Sequence, residues 1–242
     1  MFYNHSLQLN GTGGTKLMNK ETYCLLEKFM ICCIEDAAHD KEHIYRVLYN
    51  ALEIAKEENN VNYDVLIAAC LLHDIGRKEE SENPSLCHAI VGGEKSYKFL
   101  LSHGFEKEYA EQVKHCIHTH SYRKSNPPVS LEAKILFDAD KLDVTGAIGI
   151  ARTLLYKGSV SEPLYSVLPD GMISNGENDI LPSFFQEYKL KLENLCSVFY
   201  TEKARELAKE RQHIAREFYN SLYQEANLSY QNGKKELDKI IR

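Results

Sequence analysis

The chain holds 242 residues with a net charge of −6, and 43 % of them are hydrophobic; that suffices for a full core and excludes wholesale disorder. An acidic balance without a basic stripe argues against nucleic acid as a partner, and the longest apolar run, "VLIAACLL" at 65–72, is far too short to cross a bilayer. Seven cysteines, an odd number with no CxxC pair, fit a reduced, cytoplasmic protein whose thiols serve as small hydrophobes.

Residues 1–17, with "NGTGGT", read as a flexible leader that lacks the basic start and apolar middle of a secretory signal. Periodicity and its punctuation then predict helices over 19–36, 39–58, 62–74, 86–102, 106–120, 130–143, 145–157, 182–198 and 200–229. No strand alternation competes, so the expected fold class is all-α. The expected organisation is a single core over 18–157, a surface loop over 158–180 and a helical extension over 181–242 packed on the core. The loop is rich in Gly, Pro, Ser and Asn, and its length suits a segment that covers or flanks a pocket.

The second helix has a core stripe of Ile44, Val47, Leu48, Ala51 and Ala55. Beside it His39, His43, Arg46 and Asn50 share one row, which suits the wall of an anion pocket better than a solvated face. Asp40 points away from that row. The third helix is apolar at every position from Val65 to Leu72 and ends in His73 and Asp74, with Gly76 placed to terminate it. A carboxylate closing a buried helix needs a cation or strong donors. A divalent ion shared with a neutral imidazole and a local His–Asp hydrogen bond both satisfy it.

Eight of the ten histidines fall between 39 and 120, a clustering that favours a site. A zinc site from Cys87, His88, His115 and Cys116 lacks the paired spacing of structural zinc motifs. Further on, Asp138 and Asp140 each interrupt an apolar row, and periodicity does not choose between them. Arg152 is the one charge in "TGAIGIARTLLY".

The order His43, His73-Asp74, Asp140 resembles the HD-domain metal-dependent phosphohydrolase superfamily. Within it, the chain is similar to small bacterial hydrolases related to manganese-dependent nucleoside triphosphate pyrophosphohydrolases. The stretches that carry the likeness are "HDKEHIYRVLYNALEIA", "LIAACLLHDIGR", "VKHCIHTHSYR", "ILFDADKLDVTGAIGIAR" and, in the tail, "TEKARELAKERQHIAREF". The resemblance implies a helical bundle in which His43, His73, Asp74 and Asp140 hold one divalent ion, and it picks Asp140 over Asp138. Ligand type alone admits Mn, Fe, Co, Ni, Zn or Mg; the family favours manganese. It also implies hydrolysis of a phosphate ester or phosphoanhydride, with a nucleotide as small-molecule partner, and is compatible with a homodimer.

His88, His118 and His120 match positions that bind a second metal or the substrate phosphate in some relatives, and His88 and His118 are expected beside the pocket. Phosphoryl transfer needs positive charge around the phosphate oxygens, for which Arg46, Lys141 and Arg152 are the candidates. The expected catalytic set is Arg46, Asp74 and Lys141, with His118 or Glu79 assisting the leaving group. One feature departs from the guanosine tetraphosphate hydrolase branch: the acidic pair three and four residues after Asp74 is Arg77 and Lys78 here. A sensor that holds ion and nucleotide without turnover is the alternative.

Overall fold

The computed structural model describes residues 17–34, 41–121 and 126–241. All of the expected leader but Leu17 lies outside the described residues, as do His39 and Asp40. Ten α-helices and one 3-10 turn order the described residues, with no β-strand among them. They are α1 (Lys20–Ile34), α2 (Lys41–Ala55), α3 (Tyr63–Leu72), α4 (Arg77–Glu82), α5 (His88–Ser102), α6 (Lys107–Thr119), α7 (Leu131–Leu142), α8 (Gly146–Ser159), α9 (Phe184–Leu190) and α10 (Glu202–Ile240), with the 3-10 turn at Leu192–Ser197. The all-α class is the expected one. No helix among the described residues is long and apolar enough to cross a membrane.

The centre is α3. Asn62 caps it, its side chain accepting from Val65 N at 3.2 Å. Val65, Leu66, Ala68, Ala69, Cys70, Leu71 and Leu72 are all buried, because α1, α2, α6 and α7 pack around it. A helix enclosed this way has no solvated face, which accounts for its unbroken apolar run. A second, smaller core joins Phe184, Phe185 and Tyr188 of α9 to Ile150 of α8 and to Ala215 and Tyr219 of α10.

Three departures from the sequence pattern matter. Residues 77–82 form a helix, α4, that buries none of its residues and so has no apolar period to betray it. The helix expected over 182–198 breaks at Lys191 (φ −123°, ψ −61°), and the chain continues as the 3-10 turn. The last helix runs past 229 to Ile240, its far end exposed.

Gly76 is required for close packing rather than as a left-handed cap. Its φ is −97°, and a Cβ there would lie 2.3 Å from the His88 carbonyl oxygen and 2.6 Å from Gly92 N. This contact brings the start of α5 against the end of α3.

Asp138 and Asp140 have separate tasks. Asp138 is buried and accepts from Tyr200 N (2.9 Å), Thr201 N (2.7 Å) and Thr201 Oγ1 (2.7 Å), so it caps α10 from a neighbouring helix. Arg211 of α10 adds a clamp, donating to the Leu142 carbonyl at 2.9 Å and to Asn50 Oδ1 at 3.1 Å.

Candidate metal centre

Five helices deliver side chains to one buried point. His43 comes from α2, His73 and Asp74 from the end of α3, His88 from the first turn of α5, His120 from the end of α6 and Asp140 from α7. His43 Nε2 lies 3.4 Å from Asp140 Oδ1, 3.6 Å from Asp74 Oδ2 and 3.4 Å from His73 Nε2. On the other side of Asp74, Oδ1 is 3.5 Å from His120 Nε2 and 3.7 Å from His88 Nε2, and those two nitrogens are 3.3 Å apart. Two overlapping groups, His43–His73–Asp140 and His73–Asp74–His120, have ligand atoms within 4.8 Å of one another.

All four rings are held by the opposite nitrogen. His73 Nδ1 bonds the Cys70 carbonyl at 2.7 Å and His120 Nδ1 the Ile117 carbonyl at 2.6 Å. His43 Nδ1 bonds Asp143 Oδ2 at 2.7 Å, and His88 Nδ1 bonds Glu80 Oε2 at 2.8 Å. Each of these four partners is an acceptor, so each Nδ1 carries a hydrogen and Nε2 is turned into the cluster. Arg152 and Arg77 also stand 3.1 Å from the Nδ1 atoms of His43 and His88. Metal-binding histidines are oriented in this way.

The electrostatics ask for a cation. Burial works to lower the His43 pKa, yet bonds to Asp140, Asp143 and Asp74 outweigh it and raise it to about 10. His73, wholly buried, falls to about 4 and stays neutral. Burial would raise both ligand carboxyls, but His73 and the bonds from His120 and His43 hold Asp74 well below the usual range, and Lys141 and His43 do the same for Asp140. With His43 deprotonated, its imidazole and that of His73 join the ionised carboxylates in the mixed N/O donor set that suits a first-row divalent ion. Metal–ligand bonds of about 2.0–2.2 Å leave neighbouring donors roughly 3 Å apart, close to the separations here. The residues fit the ion.

Of the expected residues, His43, His73, Asp74, His88 and Asp140 meet at this point. Lys141 borders it, with Nζ 2.7 Å from Asp140 Oδ2. Arg46 and Arg152 reach it through Asp143: Arg46 Nε donates to Oδ1 at 2.7 Å and Arg152 Nη1 to Oδ2 at 2.6 Å. Glu79 is drawn to Lys95 instead, at 2.7 Å. His118 is turned against α5, where a Cβ on Gly93 would come within 2.2 Å of its ring, and its Nε2 is 3.9 Å from Glu94 Oε1. No ligand group among the described residues includes a cysteine.

Three residues at the centre were not among the expected functional residues. Asp143 and Glu80 act on the rings, and Arg77 donates through Nε to Asp74 Oδ1 at 3.0 Å. Spacing offered a signal: Asp143 follows Asp140 by one helical turn, and Arg77 follows Asp74 likewise. His120, rather than His118, is the histidine of "HTH" that joins the cluster.

The model of the HD domain matches residues 41–145, the span that carries every residue of the cluster. The chain is 31 % identical over 192 residues to the uncharacterized protein YpgQ of Bacillus subtilis, covering 78 % of this chain and 84 % of that one. The chain belongs to the HD-domain family. Among solved structures, Bacillus subtilis YpgQ in complex with ADP matches with a TM-score of 0.66 and 26 % identity, over 85 % of this chain and 95 % of that chain. An HD-superfamily hydrolase from Bacillus thuringiensis matches with a TM-score of 0.64 and 29 % identity, over 86 % of this HD protein and 98 % of that one. The HD protein described here is thus a metal-dependent phosphohydrolase.

Proposed function

We propose that this HD protein hydrolyses a phosphoanhydride or phosphate ester of a nucleotide, as a nucleoside triphosphate pyrophosphohydrolase or nucleotidase. One divalent ion, manganese by family likeness, is held by His43, His73, Asp74 and Asp140. The observation that carries the reading is a buried set of imidazoles and carboxylates ringed by cations. Arg46, Arg77, Lys141 and Arg152 keep between 16 % and 33 % of their side chains exposed around it. A nucleotide is supported by the ADP complex of YpgQ. Unpaired thiols at all seven cysteines support a reducing, cytoplasmic setting.

When bound, the ion supplies a Lewis acid and an activated water for attack on phosphorus. The chain's own residues do the rest. Asp143 and Glu80 fix the rings of His43 and His88, and the apolar shell of α3 keeps bulk water from the donors. Arg46, Lys141 and Arg152 bind phosphate oxygens and take up charge as it develops. Arg77 joins them from the turn after Asp74. Glu80 accepts from His88 Nδ1, and burial and Arg77 lower the His88 pKa, so its Nε2 accepts a hydrogen bond from substrate or water rather than supplying a proton.

A matrix of divalent ions against nucleotides, assayed for phosphate and pyrophosphate, tests this reading. Turnover with at least one pair, lost in His73→Ala and in Asp140→Ala, is expected. Full turnover in both variants would show the centre misassigned. The sensor reading draws on Arg77 standing where that other branch has an acid; saturable nucleotide binding without release under any ion would favour it.

A further inference from the structure

We infer that the cleft between the α7–α8 corner and the 3-10 turn is the subsite for the nucleoside end of the substrate, an inference that rests on the nucleotide reading above. The cleft has a volume of about 590 Å³, within the roughly 300–1,000 Å³ of small-molecule sites. One wall is the segment created by the helix break at Lys191: Leu192, Leu195 and Val198 face the space, with Asn194 at its edge. Val144 and Thr153 line the opposite side.

Lys141 joins this cleft to the metal centre. It lines the space, and its Nζ is 2.7 Å from Asp140 Oδ2. A molecule filling the cleft and touching Lys141 therefore presents its polar end to a ligand of the ion. Glu187, Lys191 and Ser197 add polar groups to this largely apolar wall. A space of this size exceeds inorganic phosphate or pyrophosphate, whereas a base and ribose fill it and meet both kinds of surface. Asn194 is exposed and commits its amide nitrogen only to a long, 3.5 Å, contact with the Lys189 carbonyl. Its amide offers a donor and an acceptor for the edge of a base. Leu192 and Leu195 also belong to the smaller core or pack against it, so the subsite stands on a packed base and keeps its shape without ligand.

The test is photolabelling of the manganese-supplemented protein with 8-azido-ATP, mapped by mass spectrometry. Label within residues 141–153 or 187–198, displaced by excess ATP, is the expected outcome. Label elsewhere, or none, overturns the assignment. Asn194→Trp and Leu195→Trp supply the second measurement. Each should raise the Kd for a non-hydrolysable ATP analogue by about tenfold or more and leave the Kd for inorganic pyrophosphate unchanged. Asn194 is on the surface, so that variant narrows the cleft without loading the core. No change, or equal loss for both ligands, counts against the subsite. Nucleotide turnover with label outside the cleft sinks the subsite and spares the hydrolase reading; label inside it, with no release under any ion, does the reverse.

Discussion

Asp143 does more for the centre than its place outside the ligand set suggests. It is buried, and it accepts from His43 Nδ1, Arg46 Nε and Arg152 Nη1 at once. One carboxylate thus sets the tautomer of a ligand ring and the direction of two cations. Asp143→Asn removes the charge, and its amide can donate where the carboxylate could only accept. Manganese affinity, read by calorimetry, should fall by about 10- to 100-fold, and Asp143→Glu should recover part of it. Unchanged affinity in Asp143→Asn would separate Asp143 from the centre. His43 makes a second prediction at this scale. Its pKa in the ion-free fold, about 10, lies above the ordinary 6.5. The stability it contributes is full below about 6.5 and is lost as pH climbs toward 10. Bound manganese competes with the same proton, so binding near pH 7.5 should release about one proton and tighten as pH rises. Titration in buffers of differing ionisation enthalpy counts that proton; release of none would mean that His43 is neutral before the ion binds, against its raised pKa.

At the scale of elements, neighbouring acids on one helix serve different ends. α7 turns Asp140 toward the imidazoles and Asp138 toward the start of α10. Burial raises the Asp138 pKa, while bonds from Thr201 and Tyr200 act to lower it. Asp138→Ala strands two backbone N–H groups and a hydroxyl, and should cost about 2–4 kcal/mol in urea unfolding. Asp138→Asn keeps one acceptor and should cost clearly less; equal losses would mean that volume, rather than capping, matters there. No period in the sequence separates Asp138 from Asp140, because both lie in apolar rows and both are buried. What separates them is the partner each meets, and those partners lie 62 and 97 residues away in the chain. The buried helix α3 was legible because enclosure leaves an unbroken apolar run. α4 was not, since it buries nothing, and the break at Lys191 was not, since Leu192 and Leu195 keep a helical stripe through it. Gly76 was legible as a break but for the wrong reason, as its role is the close approach to α5. Gly76→Ala should therefore push α5 away from α3 and cost about 1–3 kcal/mol, weakening manganese binding in parallel. Retained stability and affinity would show that the turn can absorb the methyl group.

For the molecule as a whole, the centre acts as a fastener. Its donors come from α2, α3, α5, α6 and α7, and the proposed ligands span positions 43 to 140, so one ion closes long loops of the chain. The sequence could show donors in the right order but not that His120 displaces His118, since two residues at the end of one helix differ by about half a turn and only the packing of α5 decides which faces inward. An ion that binds only the folded state stabilises it by about 2.7 kcal/mol at a hundredfold excess over its Kd. In a chain of this size each kcal/mol moves Tm by roughly 2–4 °C. Manganese should therefore raise the Tm by several degrees in scanning calorimetry, and chelation should return it. His73→Ala should lose that response, because it removes a neutral donor from the middle of both ligand groups. Asp138→Asn, which weakens the α10 cap but touches no ligand ring, should keep it. A manganese response that survived in His73→Ala would mean that the ion is bound elsewhere on the molecule, and the histidines would then be a polar core in their own right.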